Sequence, residues 1–495
     1  MKKFTVLCLC FLVLASCLLF SCKNNSGGDV SSVNNTTDSN YTDTGNSDTA
    51  VNTDNTGGTE NRNDINDNLP VMDFGGYTFN ILTGNDPIFV ENLAASEDTG
   101  DVINDAFYRA NRTVEDRFNI NIKVTQTGDV FATDTAKKSI NSGDNSFDLL
   151  FGHDYATGAA SLDGYFVNLY SLSHLDFSKP WWPKNTVDSL TFDGKMFIFS
   201  NSMTTLGLDW MRLLFINKGM AANMGITVPY KDVYDGTWTL EKLTQMTKDA
   251  YTDVNGDGKK DKEDTYGYGF TGPYYCSIEP FGIHAVKKSG NTLELDINNE
   301  RTQKMVDMMY NLMVDSQGTF FDGSDENICV NMFAQNKCLI ILSQLKQARM
   351  TLRASDINYG ILPFPKLDES QESYYAGYND RLFAVPKTAS DLDRTAVIIE
   401  AMSAEGWKKV FPAYYEIAMK NKYLADDDSI KILDMIYSSR VLSFDYIYGI
   451  KYYMMLNDLL NTKKPSKDFA SYYDKSVGAV EKVLKNIEDK FAALN

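Results

Sequence analysis

Residues 253–264 of the 495-residue chain read Asp253-Val-Asn255-Gly-Asp257-Gly258-Lys259-Lys-Asp261-Lys-Glu-Asp264. Ca²⁺ takes roughly six to eight hard oxygen ligands; an EF-hand-like loop supplies them from positions 1, 3, 5, 7, 9 and 12. Those positions hold Asp253, Asn255, Asp257, Lys259 (through its carbonyl), Asp261 and Asp264. Gly258 stands at position 6, where a sharp turn needs a residue tolerant of positive φ. Asp at position 12 has a shorter arm than Glu, and Thr265 to Phe270 alternates like a strand. The pattern therefore suits a loop joining a helix to a strand, with a structural Ca²⁺ as the expected cofactor. The bland alternative is an acidic, solvated turn. His153, His174 and His284 are scattered without i, i+4 pairing, so no His-based zinc site is legible.

The cysteines divide the chain. Cys8, Cys10, Cys17 and Cys22 fall in the first 22 residues, leaving only Cys276, Cys329 and Cys338 beyond, which is not a disulfide framework. Cys329 and Cys338 read as buried thiols, with a disulfide as the alternative. Lys2 and Lys3 precede an apolar run from Phe4 to Phe20, the pattern of an export signal over residues 1–21. Leu19-Phe-Ser-Cys22 resembles a bacterial lipobox, which implies lipidation (diacylglycerol and palmitate) at Cys22. Phe20 departs from that pattern, and Leu14-Ala-Ser-Cys17 is the competing match. Of residues 23–70, 38 of 48 are Asn, Thr, Ser, Gly, Asp or Glu, too little apolar surface to offset ordering entropy. Residues 22–70 are expected to be a disordered polar tether.

Lys and Arg number 47 against 66 Asp and Glu, a net charge of −19. That balance excludes a phosphate-neutralising nucleic-acid binder and electrostatic attachment to anionic lipid.

From Val71 the pattern is α/β. Tyr77–Leu82, Asn119–Val124 and Phe147–Phe151 read as strands, and so do Met196–Phe199 and Leu213–Ile216. Between the first two, apolar residues at 103, 107, 110, 114 and 118 predict a helix over 102–118. Thr239 is the expected N-cap of a helix over 238–250, and Glu300–Leu312 is another helix. Five helical stretches fill the last hundred residues. Strands alternating with helices imply parallel sheets, and about 425 residues exceed one core, so two lobes are expected.

The order of the lipobox-like segment, polar tether, Asp73-Phe-Gly-Gly-Tyr-Thr-Phe-Asn-Ile-Leu82, Phe147-Asp-Leu-Leu-Phe151, Phe215-Ile-Asn-Lys218, the 253–258 loop, Phe333-Ala-Gln-Asn-Lys337, Tyr359-Gly-Ile-Leu-Pro-Phe-Pro-Lys366 and Ala384-Val-Pro-Lys387 resembles the extracellular solute-binding lipoproteins of bacterial ABC importers, sugar-binding type. The resemblance implies a two-lobed periplasmic-binding-protein-like fold (type II) with a hinge and a helical C-terminal region. It places lobe one at 71–205 plus 383–427, lobe two at 214–378 plus 428–495, and the hinge at 206–213 and 379–382. It implies no enzymatic activity, a carbohydrate ligand, an importer permease as partner and a monomer lipid-anchored on the extracytoplasmic face of a membrane.

Ligands in open α/β sheets sit beyond the carboxyl ends of strands. That rule, with the resemblance, nominates Asp154 and Tyr155, Tyr274 and Tyr275, and Gln344; the crossing segments add Asp209, Trp210, Asp380 and Arg381. Carboxylates, amides and Arg suit hydroxyl pairs, and aromatic faces suit sugar C–H faces. Each has a packing alternative: Asp154 as a helix cap, Trp210 as hinge core. Trp181-Trp182 and His153 are expected to be structural. A surface glycoside hydrolase, which needs two carboxylates, and a peptide-binding or adhesin lipoprotein are the rival readings.

Overall fold

The computed structural model describes residues 61–494 apart from 272–276, 323–324, 326 and 425. The export segment, Cys17, Cys22 and residues 23–60 lie outside the described residues.

In chain order the strands are β1 (Tyr77–Thr83), β2 (Ile120–Gln126), β3 (Leu149–His153), β4 (Arg212–Asn217), β5 (Tyr266–Thr271), β6 (Val286–Ser289), β7 (Thr292–Leu295), β8 (Thr319–Asp322), β9 (Cys338–Gln344), β10 (Tyr359–Leu362), β11 (Ala376–Tyr378), β12 (Arg381–Ala384) and β13 (Arg440–Leu442). One sheet has the order β12-β3-β1-β2 and a second β10-β4-β9-β5-β8. These are the cores of two lobes.

Both sheets are mixed rather than purely parallel. β1 runs parallel to β2 and β3, and β5 runs parallel to β8 and β9, as helical crossovers require. β12, β4 and β10 are antiparallel to their neighbours. β4 and β12 carry the chain in from the other lobe, so no same-sheet crossover fixes their direction. The chain leaves the first lobe through the helical turn Leu206–Asp209 into β4 and returns through β11 and β12.

The helix Val102–Phe118 forms where its periodicity predicts. Asp101 caps it by accepting from the Ile103 and Asn104 N–H groups, and Asn119 ends it in the left-handed conformation (φ 51°). Phe107, Ala110, Val114 and Phe118 are buried, and the Glu115 carboxylate accepts from Ile122 N at 2.7 Å, fixing the helix to β2. Thr239 caps Leu240–Thr247 as expected.

Several expectations are corrected. Met196–Phe199 is buried but forms no strand: Phe199 makes a single bridge to Phe383, because its apolar side chains pack without a continuous neighbouring edge. Residues 61–70 are not a free tether. Asp67 is buried and pairs with Arg117 at 2.5 Å, Lys179 Nζ donates to Asn66 O at 2.8 Å, and the Arg62 guanidinium lies 4.8 Å from the Trp407 ring centre. The few apolar and charged residues of this stretch suffice because the body supplies their partners.

Residues 428–495 are not confined to the second lobe. Asp427–Ser438 packs on β10, but Phe444–Ile447 packs on Asp154–Leu162 of the first lobe. A Cβ on Gly158 would come 2.5 Å from the Ile447 carbonyl oxygen, so this contact requires glycine. In the final helix, Phe491 packs edge-on against Phe192 while Glu488 accepts from Leu293 N of β7 at 2.7 Å. The C-terminal segment thus straps the two lobes together. Among the described residues no helix is long and apolar enough to cross a membrane. Cys329 and Cys338 are free and buried, and burial pushes the Cys338 thiol up to about 12.

Candidate functional site

The carboxyl ends of β3 and β9 meet across the crossing segments. Arg381 of β12 stands opposite His153 in register, and Arg212 of β4 stands opposite Gln344 of β9. Between these pairs a relay crosses from lobe to lobe. Arg212 donates to Asn379 Oδ1, Asn379 Nδ2 donates to Asp154 Oδ2 at 3.1 Å, and the Tyr446 hydroxyl donates to Asp154 Oδ1 at 3.1 Å.

Asp154 is the first residue of its helix, where a carboxylate is favoured by the helix dipole. It is 2% exposed and also accepts from Tyr155 N at 2.8 Å. Burial works to raise its pKa, but His153, whose Nδ1 lies 2.9 Å away, and the Arg381 charge outweigh that and hold it below its ordinary value. Tyr155 points outward, 48% exposed, with its ring 6.4 Å from that of Tyr446. Trp210 is half-buried against the core beneath the Arg381 guanidinium, which lies 5.4 Å from its ring and 4.6 Å from that of Phe89. Gln344 Oε1 is buried without a hydrogen-bond partner. Tyr274 and Tyr275 lie outside the described residues.

Two nominated acids do not offer themselves to the cleft. Asp209 is fully buried, and both its oxygens are committed: to Arg349 Nε at 3.0 Å, Arg349 Nη2 at 2.5 Å and the Tyr414 hydroxyl at 2.6 Å. Burial alone would lower the Arg349 pKa; the Asp209 bonds and charge raise it instead. The turn Leu206–Asp209 aims this side chain at the core, which spacing could not reveal. Asp380 is buried, accepts from Ser200, and lines a different cavity with Thr204, Gly207, Tyr378 and Arg440. Burial pushes it up to about 7, and the Asp154 charge adds to the rise. A Cβ on Gly207 would come 2.6 Å from Asp380 Oδ2, so glycine lets the crossing segments approach. Trp181 and Trp182 are structural: both indole N–H groups donate to buried Glu400, at 2.8 and 2.9 Å.

The sequence reading missed Arg212, Glu279, Tyr446 and Tyr453. With Ser277, Asn379 and Tyr378 these line a cavity of about 20 Å³ at the relay, room for about one water. Tyr446 and Tyr453 lie edge to face, centroids 5.0 Å apart. Glu279 alone carried a sequence signal, as a single acid between Ile278 and Pro280-Phe281 shortly after β5.

In the 253–264 loop the oxygens bond the loop's own backbone. Asp253 accepts from Gly256 N and Gly258 N, Asn255 from Asp257 N, Asp257 from Lys259 N and Asp261 from Glu263 N. Asp264 is fully buried and accepts from Val254 N at 3.1 Å and the Tyr251 hydroxyl at 3.0 Å. Among the described residues no three His, Cys, Asp or Glu side chains converge as a metal cluster. The loop is an ordered turn whose exposed oxygens face solvent while position 12 anchors it.

No protein-family model matches the sequence, and no curated protein matches it. Solved structures do match in fold. The GacH receptor of Streptomyces glaucescens, determined unliganded and in complex with acarbose, superposes with a TM-score of 0.55 at 15% identity, over 83% of this chain and 99% of that one. A sugar transporter from Rhizobium etli in an open conformation gives 0.52 at 12% identity, over 85% and 100%. UspC of M. tuberculosis gives 0.50 at 13% identity, over 83% and 100%. The chain has the two-lobed periplasmic-binding-protein-like fold.

Proposed function

We propose that this protein is a non-enzymatic, extracytoplasmic solute-binding protein that captures a carbohydrate, an oligosaccharide, between its lobes and delivers it to an ABC importer permease. The observation that carries the reading is the polar relay Arg212–Asn379–Asp154–Tyr446 at the carboxyl ends of the two sheets, in a fold that binds acarbose in the GacH receptor. Charged hydrogen-bonding groups beside aromatic rings are what hydroxyl pairs and C–H faces require. Closure would follow because ligand binds the closed arrangement better than the open one. Isothermal titration of the purified protein against a saccharide panel tests this, with binding in one or more cases expected. No heat from any saccharide, together with binding of mixed oligopeptides, would replace it with the peptide-receptor reading. Release of reducing sugar would replace it with a hydrolase.

Export through residues 1–21 and lipidation at Cys22 belong to the same reading, supported by the lipobox-like segment. Mass spectrometry of the native N-terminal peptide distinguishes a modified Cys22 from Cys17. The loop from Asp253 to Asp264 is proposed to take a structural Ca²⁺, on the support of its oxygen set and spacing. Terbium luminescence competed by Ca²⁺, lost in D257A, is the expected result.

A further inference from the structure

Glu279 opens the short turn Glu279–Phe281, is 2% exposed, and has no hydrogen-bond partner on either carboxylate oxygen. Among the described residues no other buried acid has both oxygens unpartnered. Asp154, Asp209, Asp264, Glu400 and Asp445 each accept from at least one donor. A buried carboxylate that bonds nothing destabilises the protein that holds it. Folding therefore gives no reason for an acid at this position, and its surroundings point to another.

The cavity that Glu279 lines also presents Arg212 and Asn379 from the crossing strands and the rings of Tyr446 and Tyr453. Opposite it Arg212 donates to Asn379, and Asn379 donates to Asp154. No donor in this wall bonds either Glu279 oxygen. Two carboxylate oxygens accept side by side, which suits adjacent hydroxyls on one ring. An ammonium would also donate, but Arg212 in the same wall opposes a second positive charge. The tyrosine pair offers an apolar surface to ring C–H groups.

We propose that Glu279 is the second-lobe ligand carboxylate, accepting paired hydrogen bonds from adjacent hydroxyls of a neutral polyhydroxylated ring. This deepens the carbohydrate reading above and rests on it. With room for about one water, the cavity admits a ring only when the lobes part. Glu279 and Asp154 then face the ligand from opposite lobes; Asp154 already accepts from Asn379, Tyr446 and Tyr155 N, whereas both Glu279 oxygens are unpartnered.

The test uses the full mature chain, wild type, E279Q and E279M, in thermal unfolding without ligand and in titration with neutral sugars and their amino-sugar counterparts. Without ligand, both variants should unfold at a higher temperature than wild type. For a neutral saccharide that wild type binds, E279Q should lose roughly 10-fold to 100-fold in affinity, and E279M more. Unchanged affinity in both variants would overturn the assignment of Glu279 and leave the carbohydrate reading intact. Lower unfolding temperatures without ligand would overturn it too, by making Glu279 a structural acceptor. Tighter wild-type binding of the amino sugar would overturn the neutral class. A wild type that binds no saccharide would remove the reading and the inference together.

Discussion

Asp154 and Glu279 are both buried acids near the carboxyl ends of their sheets, one per lobe, and their surroundings are opposite. Asp154 accepts from Asn379, Tyr446 and the Tyr155 amide, sits at a helix start, and is held below its ordinary pKa with His153 and Arg381 beside it. Glu279 accepts from nothing. A carboxylate bonded by its own protein, as Asp154 is by Asn379 and Tyr446, is held in place by those bonds. One left empty in the same setting costs stability that only a partner from outside can return. Burial alone does not separate the two roles; the count of satisfied oxygens does.

Removing acids of each kind separates their roles. The largest effect is expected for Asp209, which shares the satisfied condition of Asp154 in its extreme form. D209A removes the buried partner of Arg349 and of the Tyr414 hydroxyl and should cost about 3–5 kcal/mol in urea unfolding, without bearing on ligand contact. D154A should cost about 2–4 kcal/mol, since it takes an acceptor from Asn379 and Tyr446 and the opposing charge from Arg381. A D154A protein as stable as wild type would break the contrast with Glu279, whose substitution is expected to stabilise.

A smaller effect concerns pH. Asp380, Glu400 and Asp445 are pushed up to about 7, in each case chiefly by burial. An acid whose folded pKa is raised favours the fold below its unfolded pKa, near 4, and loses that contribution as pH rises through about 7. The unfolding temperature should therefore fall between pH 5 and pH 8. Asp154, with its pKa lowered, stays ionised across that window and contributes no slope there. A flat profile would show these three acids to be better solvated than their burial indicates. The smallest effect is expected for Y155A. Tyr155 is exposed, so stability should change by less than about 0.5 kcal/mol, while saccharide affinity falls if its ring stacks on ligand.

Local patterns in the chain carried much of the architecture. The spacing of Phe107, Ala110, Val114 and Phe118 marks one helix, and Thr239 and Asp468 cap two others. Met196–Phe199 shows where such reading stops, because an apolar run says that a segment is buried but not whether an edge is there to pair with it. The same limit applied at the site. Strand ends nominated Asp154 and Gln344 and the crossing segments nominated Arg381; Asp154 accepts from Asn379, and Gln344 stands opposite Arg212 in register. Asp209 looked equally eligible and turned into the core. Glu279, Arg212 and Tyr446 are remote from one another in sequence, so no spacing rule could have joined them.

The amino-acid sequence by itself determined the class of fold, the acidic balance, the segments that become helices, and the oxygen-rich loop at 253–264. Each of these depends on neighbours within a turn or two of chain, where periodicity and capping act. The tertiary structure alone decided which buried acids are bonded by their own protein and which one is not, and that the C-terminal helix ties both lobes. Hydrogen-bond satisfaction is a property of groups brought together from distant parts of the chain, and only packing fixes which donors arrive.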